Sequence, residues 1–479
     1  MDEVARFRKV MEMIQKFLID TILMPLAVMM ERFSEKTKER VFVAAGMGIA
    51  LQFFAINMDL ITYRYLFVFA TGCLFLGIMI LCTLTTSLKP VKFRWPILLC
   101  WMGTGVMMLQ AGIRCNVEYL PEAVLFLVAY PIIFICWNQT DRTRIFRLLL
   151  KVVRISAIIY LVGCWIFGEI ATERYQGMFS NPNGAAFFLV VAIAGLLIEV
   201  LYAGKMDWRF WTDILLLGSM VALCYYTNSR TGYLSAIVAT ITGCALYFLT
   251  HNRKENLKCF VRVVAAAVVT LICVFNLIYV FQWRTTLDIP YYHTADRVFY
   301  DLEYPGSNAV KQQTAANIAG VQTDTGISGF LDTAADKGDT GNKSLDQYST
   351  GRITEWLMYA KDLNLLGHEE VPVIYNESIK QYISTTHMAI LQIAYESGII
   401  AGVCYLLLNL ISGFSMIGFA WKFRKEQYAL MPIVVTVTFG VVSILSSSSN
   451  AFLHLVTFYY YCVLFPVMVR QPVQEGEKE

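Results

Sequence analysis

Charge is what this chain of 479 residues has least of: Asp, Glu, Lys and Arg make up 16% of it, against about 25% in ordinary soluble domains. A chain so poor in charge, and 57% hydrophobic, has the make-up of a membrane protein. Its net charge of +3 is sorted among loops rather than pooled in a patch, so no nucleic-acid partner is expected. Histidine is scarce, with five residues. None of the 12 cysteines has CxxC spacing and none lies between 283 and 385, which leaves no zinc motif and no disulfide framework. They read as small core- or lipid-facing residues. Also missing are a nucleotide-binding glycine loop, a Ser-His-Asp arrangement and an internal repeat, so neither cofactor nor metal is expected. The opening MDEVARFRKVMEMIQKFLID is charged and helical, with no small-residue cleavage site after a clean apolar core, and does not read as a signal peptide.

What is present is a series of apolar runs of bilayer length, about 17–25 residues. They fall near 41–57, 63–85, 95–112, 120–137, 152–170, 185–203, 211–227, 232–250, 261–282, 399–421, 429–447 and 451–470. The fold expected is an all-α polytopic membrane protein of about twelve transmembrane helices, with one large extracytoplasmic loop that contains amphipathic helices. The stretch FLIDTILMPLAVMM (17–30) is too short and carries Asp20 and Pro25. It reads as an amphipathic or interfacial helix, with a thirteenth span as the alternative.

Basic residues orient these runs. The first 40 residues carry Arg6, Arg8, Lys9, Lys16, Arg32, Lys36, Lys38 and Arg40. Lys89, Lys92 and Arg94, then Arg142, Arg144, Arg147, Lys151 and Arg154, then Lys205 and Arg209, the HNRKENLK run from His251, and WKFRK from Trp421 fall in every second loop. The intervening loops hold Arg64, Arg114, Arg174 and Arg230, one apiece. The expected organisation is a cytoplasmic N-terminal segment (1–40), a bundle of about nine spans (41–282), an extracytoplasmic loop (283–398), about three further spans (399–470) and a cytoplasmic tail (471–479). The location expected is the cytoplasmic, inner membrane of a bacterium, in multiple passes.

The long loop divides in two. Residues 283–348 are rich in Asp, Thr, Gly, Ala and Asn, a composition of loop or loosely ordered structure. From Ser349 helical spacing begins: Ile353, Trp356, Leu357, Ala360 and Leu363 predict an amphipathic helix over 352–366, with Thr350 as N-cap and Gly367 as its stop, on the outer membrane face or on the bundle. A second helix is predicted over 387–397, up to Gly398.

Four features of the outer side carry chemistry. Arg230, in YYTNSRTGYLSAIV, is a charge between two apolar runs, where a buried charge costs about 2.5–3.5 kcal/mol on insertion scales. Its planar donor fork suits phosphate oxygens. Arg352 stands in the first turn of the loop helix, where unpaired N–H groups and the helix dipole favour an anion. His387, at the boundary between a polar segment and an apolar helix, is suited to accept a proton from a hydroxyl near neutral pH. The turn FSNPNGAAFF presents Asn181 and Asn183 at the start of a span. Each has a plain alternative: a snorkelling or helix-end arginine, a capping histidine, a simple helix start. His293 and His368 are weaker candidates, and His454, within an apolar run, reads as a bundle residue. Taken together, two arginines, a histidine and an amide-rich turn on one side suit a site that binds a diphosphate and deprotonates an acceptor, with a membrane-borne activated donor.

The order SRTGYL (229–234), TGRxxxW (350–356) and HMAILQIAYESGIIAG (387–402), with NPNGAA before a middle span and the long loop before the last spans, resembles the O-antigen ligase and polysaccharide polymerase superfamily. The likeness covers roughly residues 175 to 465. It implies a metal-independent, inverting glycosyltransferase that moves a glycan from an undecaprenyl diphosphate carrier to a glycan acceptor hydroxyl. Arg230 and Arg352 would bind the diphosphate and stabilise it as leaving group, with Asn181 and Asn183 also on the substrate, and His387 would orient or deprotonate the acceptor. Met388 stands where the family often has Asn or Ser, and Gly398-Ile-Ile-Ala401-Gly402 where it has GxxG; the first departure bears on acceptor binding. Membrane lipid is an implied partner, and polysaccharide export or chain-length proteins are open as further ones. Of polymerase and ligase, the polymerase of a capsular or other exported polysaccharide is preferred. A flippase for lipid-linked glycan and a non-catalytic scaffold are the readings of other classes, the flippase disfavoured by apolar runs nearly without charge and by the missing repeat.

Overall fold

Apolar runs of this length become helices because a helix satisfies its own backbone N–H and C=O groups where no water can. The structure, a computed structural model, describes residues 2–58, 60, 65–91, 95–168, 175–285, 352–369, 371–372, 374–376, 381–383, 385–447 and 450–468. In chain order its helices are α1 (Asp2–Leu18), α2 (Met24–Met30), α3 (Glu35–Asn57), α4 (Tyr65–Leu81), α5 (Trp95–Arg114), α6 (Leu120–Val124), α7 (Tyr130–Trp137), α8 (Arg142–Phe167), α9 (Pro182–Leu201), α10 (Trp208–Tyr226), α11 (Arg230–Thr250) and α12 (Arg253–Thr285). After the long loop come α13 (Arg352–Lys361), α14 (Ala389–Ser397), α15 (Ile399–Lys422), α16 (Met431–Leu445) and α17 (Leu455–Leu464). One antiparallel pair, β1 (Ile374–Asn376) and β2 (Gln381–Ile383), with Tyr375 opposite Tyr382, is the exception to helix among the described residues. The helical periodicity on either side gave no sign of it.

Among the described residues, eight helices are long and apolar enough, by length and composition, to cross a membrane, and three shorter apolar ones accompany them. This is the make-up of a multi-pass membrane protein. On α12 the residues Leu257, Phe260, Val264, Val268, Leu271, Phe275 and Tyr279 are exposed at three- and four-residue spacing, an apolar stripe that suits lipid and not water. α9 lies at the centre, packed by α8, α10, α11, α12, α16 and α17. Its Ala185, Ala186, Ala192 and Ala194 are fully buried and let those neighbours approach closely. Around it the core is aromatic, with Tyr160 5.1 Å from Phe179 and 4.7 Å from Phe188.

Several expected boundaries move, each for a local reason. α8 starts at Arg142, not 152, because Asp141 caps it, accepting from the Thr143 N–H at 3.0 Å. α3 likewise starts at Glu35, capped by Ser34. Hydropathy clips such charged first turns, whereas capping sets where a helix begins. α13 ends at Lys361, five residues before the expected 366, and Gly367 (φ +89) belongs to a later turn. α14 starts at Ala389, so His387 precedes the helix rather than lying in it. Thr350, His293, residues 286–351 of the loop, Arg64, Arg174 and the tail from 469 lie outside the described residues.

The segment 17–30 is longer than expected. It continues back through α1, and a π turn at Ile19–Leu23 joins α1 to α2. Pro25 has no N–H to close on Thr21, and the wider turn absorbs the loss. A second π turn, Leu125–Ala129, stands before Pro131 for the same reason. Lys9–Met30 is thereby one of the eight long apolar helices. Its two ends nevertheless meet one short segment: Gln15 exchanges hydrogen bonds with the Val91 backbone at 3.2 and 2.7 Å, and Glu31 accepts from Thr86 at 2.7 Å. Gln15 and Glu31 are separated by about 24 Å of helix axis, and five residues of extended chain span at most about 18 Å, so the helix runs along this segment.

Loop contacts sort the bundle into two ends. At one, Arg142 grips Glu426 with two bonds of 2.7 and 2.5 Å and lies 3.9 Å over the Phe423 ring. Arg144 and Arg147 meet Glu35 and Glu39. At the other end the Asn57 carbonyl accepts from Ser180 N–H at 2.7 Å, Tyr175 N–H donates to the Tyr226 carbonyl at 3.1 Å, and Asn116 and Tyr119 hold the Glu369 carbonyl at 3.2 and 3.1 Å. The basic loops thus gather at one end, and the loop helices α13 and α14 at the other.

Candidate functional site

The site is built where the chain turns at the end opposite the basic loops. Between α10 and α11 the backbone reverses through Asn228, at φ +49, a left-handed conformation that asparagine tolerates. Ser229 caps α11 by accepting from the Gly232 N–H at 3.4 Å, which makes Arg230 the first helical residue and leaves it exposed at the rim. Gly232 lets α11 close on α9: a Cβ there would stand 3.1 Å from that of Ala186. The Ser229 hydroxyl in turn donates to Asn183 Oδ1 at 3.4 Å. Asn181 is the N-cap of α9, accepting from the Asn183 N–H at 2.8 Å. Two helix N-termini therefore sit side by side, their first N–H groups and dipoles facing the same way.

α13 brings the second arginine. Its buried face docks on α14: Tyr359 and Tyr395 rings meet edge to face at 5.4 Å, Leu391 and Trp356 pack beside them, and the Tyr359 hydroxyl donates to the Pro372 carbonyl at 2.9 Å. Of the two locations open to this helix, it takes the one on the protein. Arg352 is half-buried, and burial lowers its pKa from the ordinary value, Glu355 pulls it back up, and the charge of Arg230 lowers it again. Arg230 and Arg352, 122 positions apart in sequence, are thus close enough to repel. Guanidinium groups near enough to feel each other's charge are stabilised by a bound anion.

His387 lies beside them through a residue that the sequence reading missed. Glu355, one helical turn after Arg352 and only 3% exposed, places Oε2 3.1 Å from His387 Nδ1. Thr385 Oγ1 stands 3.0 Å from the same nitrogen. The ring is half-exposed, and its residue adopts φ +48, left-handed and strained for a side chain with a Cβ. Nδ1 faces Thr385 and the Glu355 carboxylate, so the tautomer protonated at Nδ1 leaves the Nε2 lone pair to take a proton. The signal for Glu355 was its i, i+3 spacing from Arg352, which places both on one face of α13.

The other described histidines serve the scaffold. His368 stacks on Tyr395 at 4.1 Å and its ring reaches the Asp362 carbonyl at 2.7 Å, and His454 precedes α17 with its ring 5.9 Å from Phe187. His251 stacks on Tyr247 at the basic end. The structure sets Arg352 near Arg230 and His387 against Glu355 of the same helix, and joins Asn183, beside the α9 cap Asn181, to Ser229, the neighbour of Arg230. Among the described residues no three His, Cys, Asp or Glu side chains are grouped to hold a metal ion. In comparisons with known proteins, no family model matches this chain and no curated protein matches it.

Proposed function

We propose that this chain is a membrane glycosyltransferase that polymerises undecaprenyl-diphosphate-linked oligosaccharide repeat units at the outer face of a bacterial cytoplasmic membrane. The observation that carries the reading is the meeting of Arg230 and Arg352 with the Glu355-backed His387 at the end of the bundle away from the basic loops. The positive-inside rule assigns the basic end to the cytoplasm. α3, α4, α5, the continuous α6–α7 helix, α8 to α12, α15, α16 and α17 then make twelve crossings, and α1–α2 lies at the inner surface.

In this reading the arginines bind the diphosphate, and the helix N-termini of α9 and α11 add to the positive field. His387 Nε2 takes the proton of the acceptor hydroxyl as its oxygen attacks the anomeric carbon. The bond from that carbon to the diphosphate oxygen breaks, and undecaprenyl diphosphate leaves with the electron pair, its charge held by the arginines. Attack from the face opposite the leaving group inverts the anomeric centre. A ligase would use the same groups with a different acceptor. A flippase would need charged groups lining a midplane cavity. The intramembrane pair Arg154–Asp213 stands toward the basic end, bound to each other.

The test is the polysaccharide output and lipid-linked intermediates of cells carrying Arg230→Ala, Arg352→Ala, His387→Ala or Glu355→Gln, with membrane abundance measured in parallel. Loss of long-chain glycan with single lipid-linked units on the outer face is expected, by at least about a hundredfold for His387→Ala, as for removal of a positioned base. Glu355→Gln keeps the shape and is expected to fall between wild type and His387→Ala. Units accumulating on the cytoplasmic face would instead identify a flippase, and unchanged output in all four would sink the catalytic reading.

A further inference from the structure

The backbone of His387 is held from its other side by groups that the site described above does not use. Thr386 is fully buried, and Gln392, one turn into α14, accepts at Oε1 from the Thr386 N–H at 3.2 Å and its hydroxyl at 3.0 Å. With Oε1 so fixed, the Gln392 amide NH2 points the opposite way, and Nε2 donates to Glu396 Oε1. Behind Glu396 lies the Glu122 carboxyl of α6, whose Oε1 accepts from Asn450 Nδ2 at 3.1 Å. Asn450 also caps the turn ahead of α17, accepting from the Phe452 N–H at 2.9 Å. A hydrogen-bonded line thus runs from Glu396 through Gln392 to the residue before His387, with the Glu122–Asn450 pair of the bundle near its far end.

We propose that Gln392 and Glu396 are positioning residues for His387: the line Glu396, Gln392, Thr386 fixes the left-handed backbone from which the imidazole reaches Glu355. The proposal builds on the reading of His387 as the proton acceptor. A left-handed non-glycine residue persists only where its surroundings over-determine it, and this line supplies that constraint. Glutamine suits the middle position because its amide presents an acceptor to one neighbour and donors to the other. Burial, and secondarily Glu122, push the Glu396 carboxyl up to about 8, so at neutral pH it is protonated and tolerates the second carboxyl beside it. Glu396→Gln therefore imitates the working state, whereas Glu396→Ala leaves the Gln392 amide without its partner.

The experiment uses the full chain, labelled with nitrogen-15 histidine, in lipid nanodiscs. The His387 ring signals are identified by their loss in His387→Asn. Gln392→Ala and Glu396→Ala are expected to displace the Nδ1 signal, and Glu396→Gln to keep it. Should Gln392→Ala not accumulate, Thr386→Val makes the same cut at almost the same volume. Ring signals unchanged in Glu396→Ala and in either cut overturn the proposal, whatever the glycan output. In cells, Gln392→Ala is expected to lower long-chain glycan about tenfold or more, part of the roughly 10²–10⁴ that a positioned base contributes. If the ring signal moves while His387→Ala leaves output intact, the positioning line stands and the glycosyltransferase reading falls.

Discussion

Glu396 is an acid whose environment inverts its usual contribution to stability. Its carboxyl is raised from 4.5 to about 8 by burial first and Glu122 second. Between those values the folded protein holds a proton that the unfolded chain has released, so stability must fall as pH rises from about 5 to about 8. Thermal unfolding in detergent across that range is expected to show the decline, and Glu396→Gln to flatten it; an equal slope in both proteins would remove Glu396 as the cause. At this scale, what can be read from sequence depends on contrast. Arg230, Arg352 and His387 stand out because each is a charged or titratable group next to apolar runs in a chain with little charge. Glu355, Gln392 and Glu396 lie on short helices of mixed polar and apolar residues, and nothing local marks Glu355 and Gln392 as buried or Glu396 as enclosed. Burial is set by what packs opposite, here α13, α5, α15 and α16 against α14.

The elements themselves follow closely from the apolar periodicity, and the interlock of the loop helices does not. Gly367 and Gly398 both adopt positive φ, +89 and +92, and each lets a backbone oxygen close in: a Cβ at Gly367 would stand 2.0 Å from the Glu396 carbonyl, and one at Gly398 2.2 Å from that of Leu365. Beside them the Ile399 N–H donates to the Asn364 carbonyl at 2.9 Å and the His368 N–H to that of Tyr395 at 3.0 Å. Gly367→Ala or Gly398→Ala is expected to cost about 1–3 kcal/mol and to raise hydrogen exchange across 363–369. Because both substitutions break one contact, the pair should cost less than the sum. Gly77 and Gly418, with nothing within 4 Å of a Cβ, are the controls, and alanine there should be neutral or slightly stabilising. The sequence marked Gly398 as a break and misplaced Gly367 as a helix stop, since α13 closes on local grounds at Lys361 and the glycine answers to a distant carbonyl.

For the whole molecule, sidedness is the property that function needs, and it is directly measurable. Cysteines introduced singly into a cysteine-free chain at Lys9, Arg32, Lys205 and Lys425 are expected to resist a membrane-impermeant maleimide in intact cells, and one at Leu365 to react. Labelling at Lys9 but not Arg32 would mean that Lys9–Met30 crosses the membrane. Labelling at Lys205 and Lys425 but not Leu365 would reverse the orientation and the proposed face of the site. Membrane character, the approximate positions of the long helices and the sorting of basic loops were determined by the sequence alone, because hydropathy and charge act through neighbours in the chain and through the solvent each segment must meet. Tertiary structure alone decided that Arg230 stands near Arg352, that Glu355 backs His387, and that Gln392 and Glu396 hold the turn. Those contacts join segments far apart in the chain or depend on which face of a helix is covered, and close packing between helices, not any local preference, determines both.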